Sequence, residues 1–400
     1  MATPPPILIA GGGIGGLALA LALARTGRSS TVLEQRDAFA TAGAGIQLGP
    51  NGVRVLQRLG VAQALRPLVG EPEAIRVHDG RTARTLATLP LGAWIAARHG
   101  APYWVAHRGD LHGALLAAAA AEPRIALRPG FALASLSQTE EGVQATSAGG
   151  EIVAGRALVG ADGLWSSVRQ AVCPSMLPQF VGATATRAVI PAAEAGGLAA
   201  PVVGLWLTPG AHVVHYPVRG GAEIAVVVIA REDWQGQDWE VEADKAALLA
   251  RLGDFHADLT EVMARVPQWR KWALYRLPPL PRWSAGRVTL MGDAAHPMLP
   301  YLAQGGVLAL EDALVLGDCL SAHPGDEANA FRDFEARRRR RAQRVQAMSL
   351  RQGRIYHLAP PLSWGRDAVL RLAPGAWLMA GYDWLYGWQT DAAPTGVVTQ

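Results

Sequence analysis

Polar and apolar positions change texture sharply along the first forty residues. Ile7-Leu8-Ile9-Ala10 is wholly apolar and stops at Gly11-Gly12-Gly13-Ile14-Gly15-Gly16. An alanine- and leucine-rich stretch runs on to Arg25, and Thr31-Val32-Leu33-Glu34 follows as a second short run ending in an acid. Short apolar runs bounded by turn residues predict buried strands, and the stretch between them predicts a helix, so together they make one strand–helix–strand unit. Further helices are predicted over Asn51 to Leu65, Asp110 to Ala121 and Val307 to Leu320, with a longer one from Ala328 to Leu350. Between Val189 and Val228 the pattern becomes β-rich: Val202 to Leu207, His212 to Tyr216 and Ala222 to Ile229 are separated by Pro-Gly and Arg-Gly-Gly turns. That spacing predicts an antiparallel sheet. Helical texture returns from Ala243 to Val266, and strand texture at Val288-Thr289-Leu290-Met291.

This order predicts an α/β fold in which a Rossmann-type dinucleotide domain is interrupted by a β-rich substrate domain and followed by a helical C-terminal tail. The expected nucleotide domain takes 1–72, 101–175 and 276–350, the substrate domain 73–100 and 176–275, and the tail 351–400. Composition narrows the function. The 400 residues are half apolar and 18% charged, enough for two sizeable cores and too apolar for disorder. The 37 basic and 33 acidic residues leave a net charge of only +4, and Lys245 and Lys271 are the only lysines. The arginines are scattered without interleaved aromatics, so no nucleic-acid partner is expected. The Arg337–Arg341 run is read as a solvated helix face, with a partner or phosphate contact as the alternative. Cys173 and Cys319 lack metal-ligand spacing and the density of a disulfide scaffold, so no metal is expected. No apolar run reaches the ~18 residues of a membrane span, and no leader is recognisable, so a cytoplasmic location is expected.

Glycines at 11, 13 and 16 fit G-x-G-x-x-G: the first for a tight turn, the second for close approach of a pyrophosphate, the third for helix packing on the strand. The helix that follows offers free N–H groups to phosphates, and Glu34 stands where a ribose hydroxyl would bind. Two later motifs extend the site. Gly160-Ala161-Asp162-Gly163 ends the apolar run Arg156 to Val159, and Gly292-Asp293-Ala294-Ala295-His296-Pro297 ends the run Val288 to Met291. Each puts an aspartate just past a strand C-terminus, where open α/β sheets bind ligands. A plain NAD dehydrogenase does not require three such stations; a long two-part cofactor such as FAD does, with Asp293 able to accept from a ribityl hydroxyl.

These residues resemble the single-component FAD-dependent aromatic hydroxylases of the para-hydroxybenzoate hydroxylase class, over roughly Ile7 to Leu350. The resemblance rests on the glycine turn with Glu34, Gly43-Ala44-Gly45-Ile46-Gln47-Leu48-Gly49-Pro50-Asn51, and His107-Arg108-Gly109-Asp110-Leu111. It continues through the Asp162-Gly163 and Gly292-Asp293 motifs to Gln304-Gly305-Gly306 and Glu311-Asp312-Ala313. The motifs are most similar to those of 3-hydroxybenzoate 6-hydroxylases and salicylate hydroxylase-like enzymes. The resemblance implies FAD as cofactor, NADH or NADPH as transient reductant, dioxygen, and a small aromatic substrate; a homodimer is compatible with it. It places Gly11, Gly13, Ile14, Gly15, Gly16, Glu34, Gln35, Arg108 and Leu133 on the cofactor's adenosine, phosphate and side-chain portion. Asp293 then meets the ribityl chain, the Gly305-Gly306 backbone and Gln47 lie near the flavin ring, and Asp162 serves both FAD and the reductant. Gly306 stands where relatives often carry alanine.

Such an enzyme must hold an electron-rich ring in line with the flavin, exclude water and draw off a phenol's proton, whose pKa is near ~10. On a strand, His212, Val214 and Tyr216 share one face while Val213 and His215 share the other. His212 and Tyr216 lie about 13 Å apart along an extended strand, a span that brackets a one-ring substrate. Periodicity does not choose between the faces. The resemblance does: a His-x-x-x-Tyr-Pro stretch in related hydroxylases assigns His212 as the phenol's proton acceptor and Tyr216 as a hydroxyl contact, with His215 structural. Pro300, expected at the substrate, stands where the resemblance calls for a glutamine, which removes one anchor for a benzoate and makes Met298 to Leu302 an apolar wall. His296 is read as orienting the turn after Asp293, Arg219 as a solvated turn residue or a carboxylate partner. Trp377, Trp384, Tyr386 and Trp388 in the tail are read as packing against the body or a second subunit, with a binding cage as the alternative. The rival readings are an N-heteroaromatic or larger polyketide-like substrate, a flavoprotein oxidase or dehydrogenase without oxygen transfer, and a non-catalytic redox-responsive flavoprotein.

Overall fold

The computed structural model describes residues 4–39, 45–234 and 240–390; Gly43 and Ala44 of the second motif lie outside them. A six-stranded sheet runs in the order Ser284–Ala285, Val288–Leu290, Ala157–Gly160, Ile7–Ala10, Ser30–Leu33, Ile125–Arg128. Its strands pair in parallel except at the Ser284–Ala285 edge. Ile7–Ala10 and Ala157–Gly160 are buried along their whole length, which is why they read as continuous apolar runs and not as alternation. Helix Ile14–Arg25 packs against helix Gly305–Ala322 at small residues: a Cβ on Gly15 would sit 3.2 Å from Ala309 Cβ, and one on Gly317 3.1 Å from Ala22 Cβ.

The second large sheet has eight strands, ordered Glu240–Glu242, Arg270–Arg276, Gln179–Pro191, Glu223–Arg231, Ala211–Val218, Val202–Thr208, Ala74–Asp79, Thr85–Pro90. One face is covered by helices Lys245–Arg251 and Ala257–Arg265, whose Leu248, Leu259 and Met263 meet Trp206, Val213, Val226 and Val228. The other face looks toward the parallel-sheet domain, with Tyr216 part of the core they share. Small sheets of three strands, Leu133–Gln138, Val143–Ser147 and Ile152–Gly155, and of two, Gly45–Leu48 and Trp104–His107, flank the first domain.

Three expectations change in detail. The helix expected over Asn51 to Leu65 is two, Pro50–Arg58 and Ala62–Leu65, parted at Gly60, whose φ of +77° ends a right-handed helix. The Ala243 to Val266 stretch is likewise two helices, broken around Gly253. The long helix runs from Glu327 through Tyr356, six residues beyond Leu350. Gly353 lies within it, and the Tyr301 ring packs where that residue's Cβ would stand, 2.5 Å from a ring carbon. The extension carries Tyr356 and His357 into the cleft. Short helices Leu362–Leu372, Gly375–Ala380 and Asp383–Tyr386 form the tail, and Gly375 rests on the backbone of Thr88. Among the described residues no helix is long and apolar enough to cross a membrane.

Candidate active site

Three adjacent parallel strands end at one crevice and deliver the Gly11 turn, Asp162 and Asp293 to it. Gly11 has φ +111°, and a Cβ there would fall 2.4 Å from the Ala161 carbonyl oxygen, so the two strand-end loops touch through bare backbone. A Cβ on Gly16 would sit 1.9 Å from Gly11 O, whereas one on Gly13 would meet nothing within 4 Å. Gly13 therefore faces open space at the start of helix Ile14–Arg25, where no side chain caps the first N–H groups and no acid occupies the first turn. That is an anion cradle. Glu34 accepts from Gly12 N at 2.9 Å and from Arg36 N at 3.0 Å, and Gln35 beside it is exposed. Buried His112 holds the Gly12 carbonyl at 2.8 Å.

Asp162 accepts from Val168 N at 3.1 Å through one oxygen, while its other oxygen is buried without a partner. Burial pushes its carboxyl pKa up against the pull of Ser166 and neighbouring N–H groups. Asp293 is open to water yet walled by protein at the floor of the crevice; that enclosure raises its pKa, and His296 and Arg108 offset part of the rise. Arg108 opens helix Arg108–Ala120 with its side chain exposed, and Leu133, half-buried, begins its strand nearby. Helix Gly305–Ala322 likewise starts with no side-chain cap and no acid in its first turn. A Cβ on Gly306 would lie 2.7 Å from Ile46 Cδ1, which brings the strand Gly45–Leu48 against that helix start. An orphaned acceptor, two uncapped helix ends and a turn too tight for side chains fit a long dinucleotide cofactor carrying phosphates and hydroxyls.

Beneath this crevice lies a buried ionic network. Glu311 and Asp312 are 0% exposed and Arg338 is 1% exposed. Arg338 Nε donates to Asp312 Oδ1 at 2.7 Å and its guanidinium lies 2.7 Å from Glu311 Oε2. Arg341 donates to both Glu311 oxygens at 2.7 Å. Asp312 also accepts from Gly292 N at 2.9 Å and pairs with His296 Nε2 at 2.6 Å. Burial would raise the Asp312 pKa, but His296, Arg338 and these hydrogen bonds hold it well below the usual carboxylate range. Asn51 donates to Gln304 Oε1 at 2.9 Å and Glu311 Oε1 at 2.8 Å, tying the loop before Gly305 to the same network. The arginine run is thus not simply a solvated face: Arg337 and Arg339 pair outward with Asp333 and Glu335, while Arg338 and Arg341 point inward, since residues three apart share a helix face. Arg341 also donates to the carbonyls of Trp384 and Leu385, and Trp388 lies under both inward arginines, anchoring the tail. Trp377, by contrast, is 65% exposed.

The opposite wall is neutral and aromatic. Strand Ala211–Val218 turns His212, Val214 and Tyr216 to the crevice side and Val213 to the helix-covered side. His215 follows Val213: its ring fills the space above Gly204, where a Cβ would be 1.9 Å from Nε2, and burial lowers its pKa to about 3. Tyr216, 3% exposed, packs on Gly45, whose absent Cβ would lie 2.3 Å from the ring; burial pushes its phenol up to about 12. His212, 1% exposed, lies with its ring centre 5.6 Å from Tyr301 and 5.1 Å from Tyr356, and its Nδ1 is 2.8 Å from His357 Nε2. Burial lowers the His212 pKa well below its ordinary value, and His357 adds to the drop. Half-buried Gln47 accepts from Tyr103 Oη at 2.6 Å, and Tyr103 meets Tyr386 edge-on. Pro300 opens the short turn Pro300–Leu302 that presents Tyr301. Arg219 is an exposed turn residue paired with Glu223 at 2.9 Å.

Sequence reasoning placed Tyr301 in the Met298 to Leu302 wall but missed Tyr103, Tyr356 and His357 around the row, and Arg187. Register places Arg187 opposite Val227, which faces Val214, so Arg187 stands on the crevice face, and its charge offsets part of the rise in the Tyr216 pKa. For the inward arginines 338 and 341 a signal was available: the Glu311-Asp312 pair, flanked on both sides by apolar residues of its helix, demanded buried cations.

A family model for the FAD binding domain matches residues 5–349. The chain is 38% identical over 395 residues, 98% of each chain, to a 3-amino-4-hydroxybenzoate 2-monooxygenase of Streptomyces platensis. It is 34% identical over 388 residues to a 3-hydroxybenzoate 6-hydroxylase of Klebsiella oxytoca, covering 96% of this chain and 97% of the relative. A salicylate hydroxylase solved with its substrate superposes with a TM-score of 0.81 at 25% identity over 96% of each chain. Motif order, crevice geometry and these likenesses agree, and the chain belongs to the FAD binding domain family as a single-component FAD-dependent aromatic monooxygenase.

Proposed function

We propose that the chain hydroxylates a one-ring phenolic acid of the hydroxybenzoate type, with His212 taking the phenol's proton and Tyr216 donating to a substrate oxygen. The observation that carries this reading is the His212–Val214–Tyr216 row. Its two ends touch Tyr301 and Gly45, members of the two segments that converge on the Gly306 helix start. In this reading Gly11, Gly13, Ile14, Gly15, Gly16, Glu34, Gln35, Arg108 and Leu133 hold the adenosine and diphosphate half of FAD. Asp162, Asp293, Gln47, Gly305 and Gly306 hold the flavin half. When bound, FAD accepts hydride from NADH or NADPH and activates dioxygen for transfer to the ring.

The protein's own share is protonic and steric. Burial pushes the phenols of Tyr103, Tyr216, Tyr356 and Tyr386 up, so they remain donors near neutral pH and cannot take the substrate's proton. His212 is held neutral and keeps a ring lone pair for that proton. Apolar Pro300 and the aromatic walls keep water from the reacting ring, and Arg187 is the partner for a substrate carboxylate. NAD(P)H as reductant and two buried free cysteines fit a cytoplasmic setting. The test is NADH and NADPH oxidation with 3-hydroxybenzoate, 3-amino-4-hydroxybenzoate, salicylate, an uncharged phenol and a hydroxypyridine carboxylate, with hydroxylated product and hydrogen peroxide quantified together. A carboxylated phenol that accelerates oxidation and returns hydroxylated is the expected result. Peroxide alone with every compound, or turnover of the hydroxypyridine only, overturns the reading.

A further inference from the structure

The His212–His357 contact joins two parts of the chain 145 residues apart and has no place in the motifs of the cofactor site. His357 is the residue at which helix Glu327–Tyr356 ends, and its N–H still bonds to Gly353 O. It is 8% exposed against 1% for His212, so the pair runs from the dry row toward the surface. Tyr301 and Tyr356 enclose it, with ring centres 5.9 Å from His357 and 5.1 Å from His212. The charged groups that face it are Arg231, at the end of strand Glu223–Arg231, and Arg366 of helix Leu362–Leu372, itself paired with Asp367 at 2.8 Å.

We propose that His357 is the second station of a proton relay that empties His212 toward solvent during ring hydroxylation. The proposal rests on His212 being the phenol's base. Two neutral imidazoles 2.8 Å apart share one proton: His212 donates through Nδ1–H to the lone pair on His357 Nε2, which leaves His212 Nε2 as the acceptor. The substrate O–H bond breaks as a bond forms to His212 Nε2. His212 then gives its Nδ1 proton to His357 Nε2, and His357 gives its Nδ1 proton to water. One proton enters and one leaves, each ring ends in its other tautomer, and no imidazolium stays buried beside two arginines. A lone histidine in this dry setting could take the proton but would have nowhere to pass it.

The experiment uses the FAD-loaded full chain with 3-hydroxybenzoate and 3-amino-4-hydroxybenzoate. Phenolate formation is followed by stopped-flow ultraviolet absorbance, proton release by an indicator dye, and the tautomers of both histidines by ¹⁵N NMR. His357→Gln and His357→Asn are expected to bind FAD and ligand as the wild type does. Both should slow phenolate formation and proton release by about 10²-fold, lose the solvent isotope effect of a two-proton transfer, and recover with added imidazole. The Gln variant can still accept from His212 Nδ1–H through its amide oxygen but cannot pass a proton on, so its failure to relay separates proton passage from packing. Unchanged proton release, or slowing with the isotope effect and pH profile intact, overturns the relay. His212→Asn distinguishes the underlying reading: if phenolate forms normally without His212, the base assignment itself is wrong; if only the His357 variants are normal, the relay alone fails.

Discussion

The floor of the cofactor crevice and the sheet face above it are built from opposite materials. The floor is ionic: Glu311 and Asp312 are fully buried, with Arg338, Arg341, His296 and backbone N–H groups around them, and the Asp312 carboxyl is held well below the usual carboxylate range. The face is neutral at His212 and Tyr216: both are deeply buried and burial wins, pushing the imidazole down and the phenol up, with Arg187 offsetting only part of the phenol's rise. Both are dry, and only one is charge-compensated. The difference teaches that the floor is a fixed scaffold for the Gly305 helix start, while the face keeps its titratable groups uncharged and so available for proton transfer.

Removing the compensation should produce the largest effect. Arg338→Met leaves two buried carboxylates short of a partner and should cost about 3–5 kcal/mol, lowering the thermal midpoint and flavin content together. Arg337→Met, whose pair with Asp333 lies at the surface, should cost less than about 1 kcal/mol by the same calorimetry. Equal losses in the two variants would erase the contrast between inward and outward arginines.

The neutral face should reveal itself through pH. In the unfolded chain His357 titrates near its ordinary 6.5 and in the folded protein near about 4, so the unfolded state binds more protons between those values. Stability is therefore complete above pH 6.5 and falls as pH drops toward 4, by on the order of 3 kcal/mol from this residue. Asp312 acts in a different window, because its depressed pKa costs stability only below the ordinary carboxylate value. The raised Asp162 and Asp293 act with the opposite sign, so the measurement is the difference in urea midpoint between wild type and His357→Gln from pH 7 to 4.5. Parallel curves would show that the imidazole is not held neutral.

His212→Asn should leave flavin bound and slow hydroxylation by about 10²-fold, least at high pH where the phenol ionises unaided. Arg187→Gln should raise KM for carboxylated phenols by about 10-fold and leave an uncharged phenol nearly unaffected. Arg219→Ala, at an exposed turn, should change neither KM nor flavin content. A larger effect there than at Arg187 would exchange their assignments.

Much of the cofactor side was legible because local backbone needs force particular residues. Gly11 at φ +111° and Gly16 against Gly11 O tolerate no side chain, so the fingerprint is written in consecutive letters. Strand parity put His212 and Tyr216 on one face and His215 on the other without choosing which face meets the crevice. That choice came from the helices Lys245–Arg251 and Ala257–Arg265, which cover the Val213 side. The arginine run shows the limit. Spacing alone says that residues 338 and 341 share a face, but not that the face meets Glu311.

By itself the chain determined the dinucleotide turn, the three strand-end stations and the alternation of the His212 strand, since each depends on neighbours a few residues away. Tertiary structure alone decided that Tyr301, from one turn, and Tyr356 and His357, from the end of a thirty-residue helix, gather around His212. It also decided that Arg338 and Arg341 neutralise acids in another helix. Contacts between residues far apart in the chain leave no period in it: burial, charge compensation and close approach arise only when separate elements pack together, and they set which groups stay charged and which stay neutral.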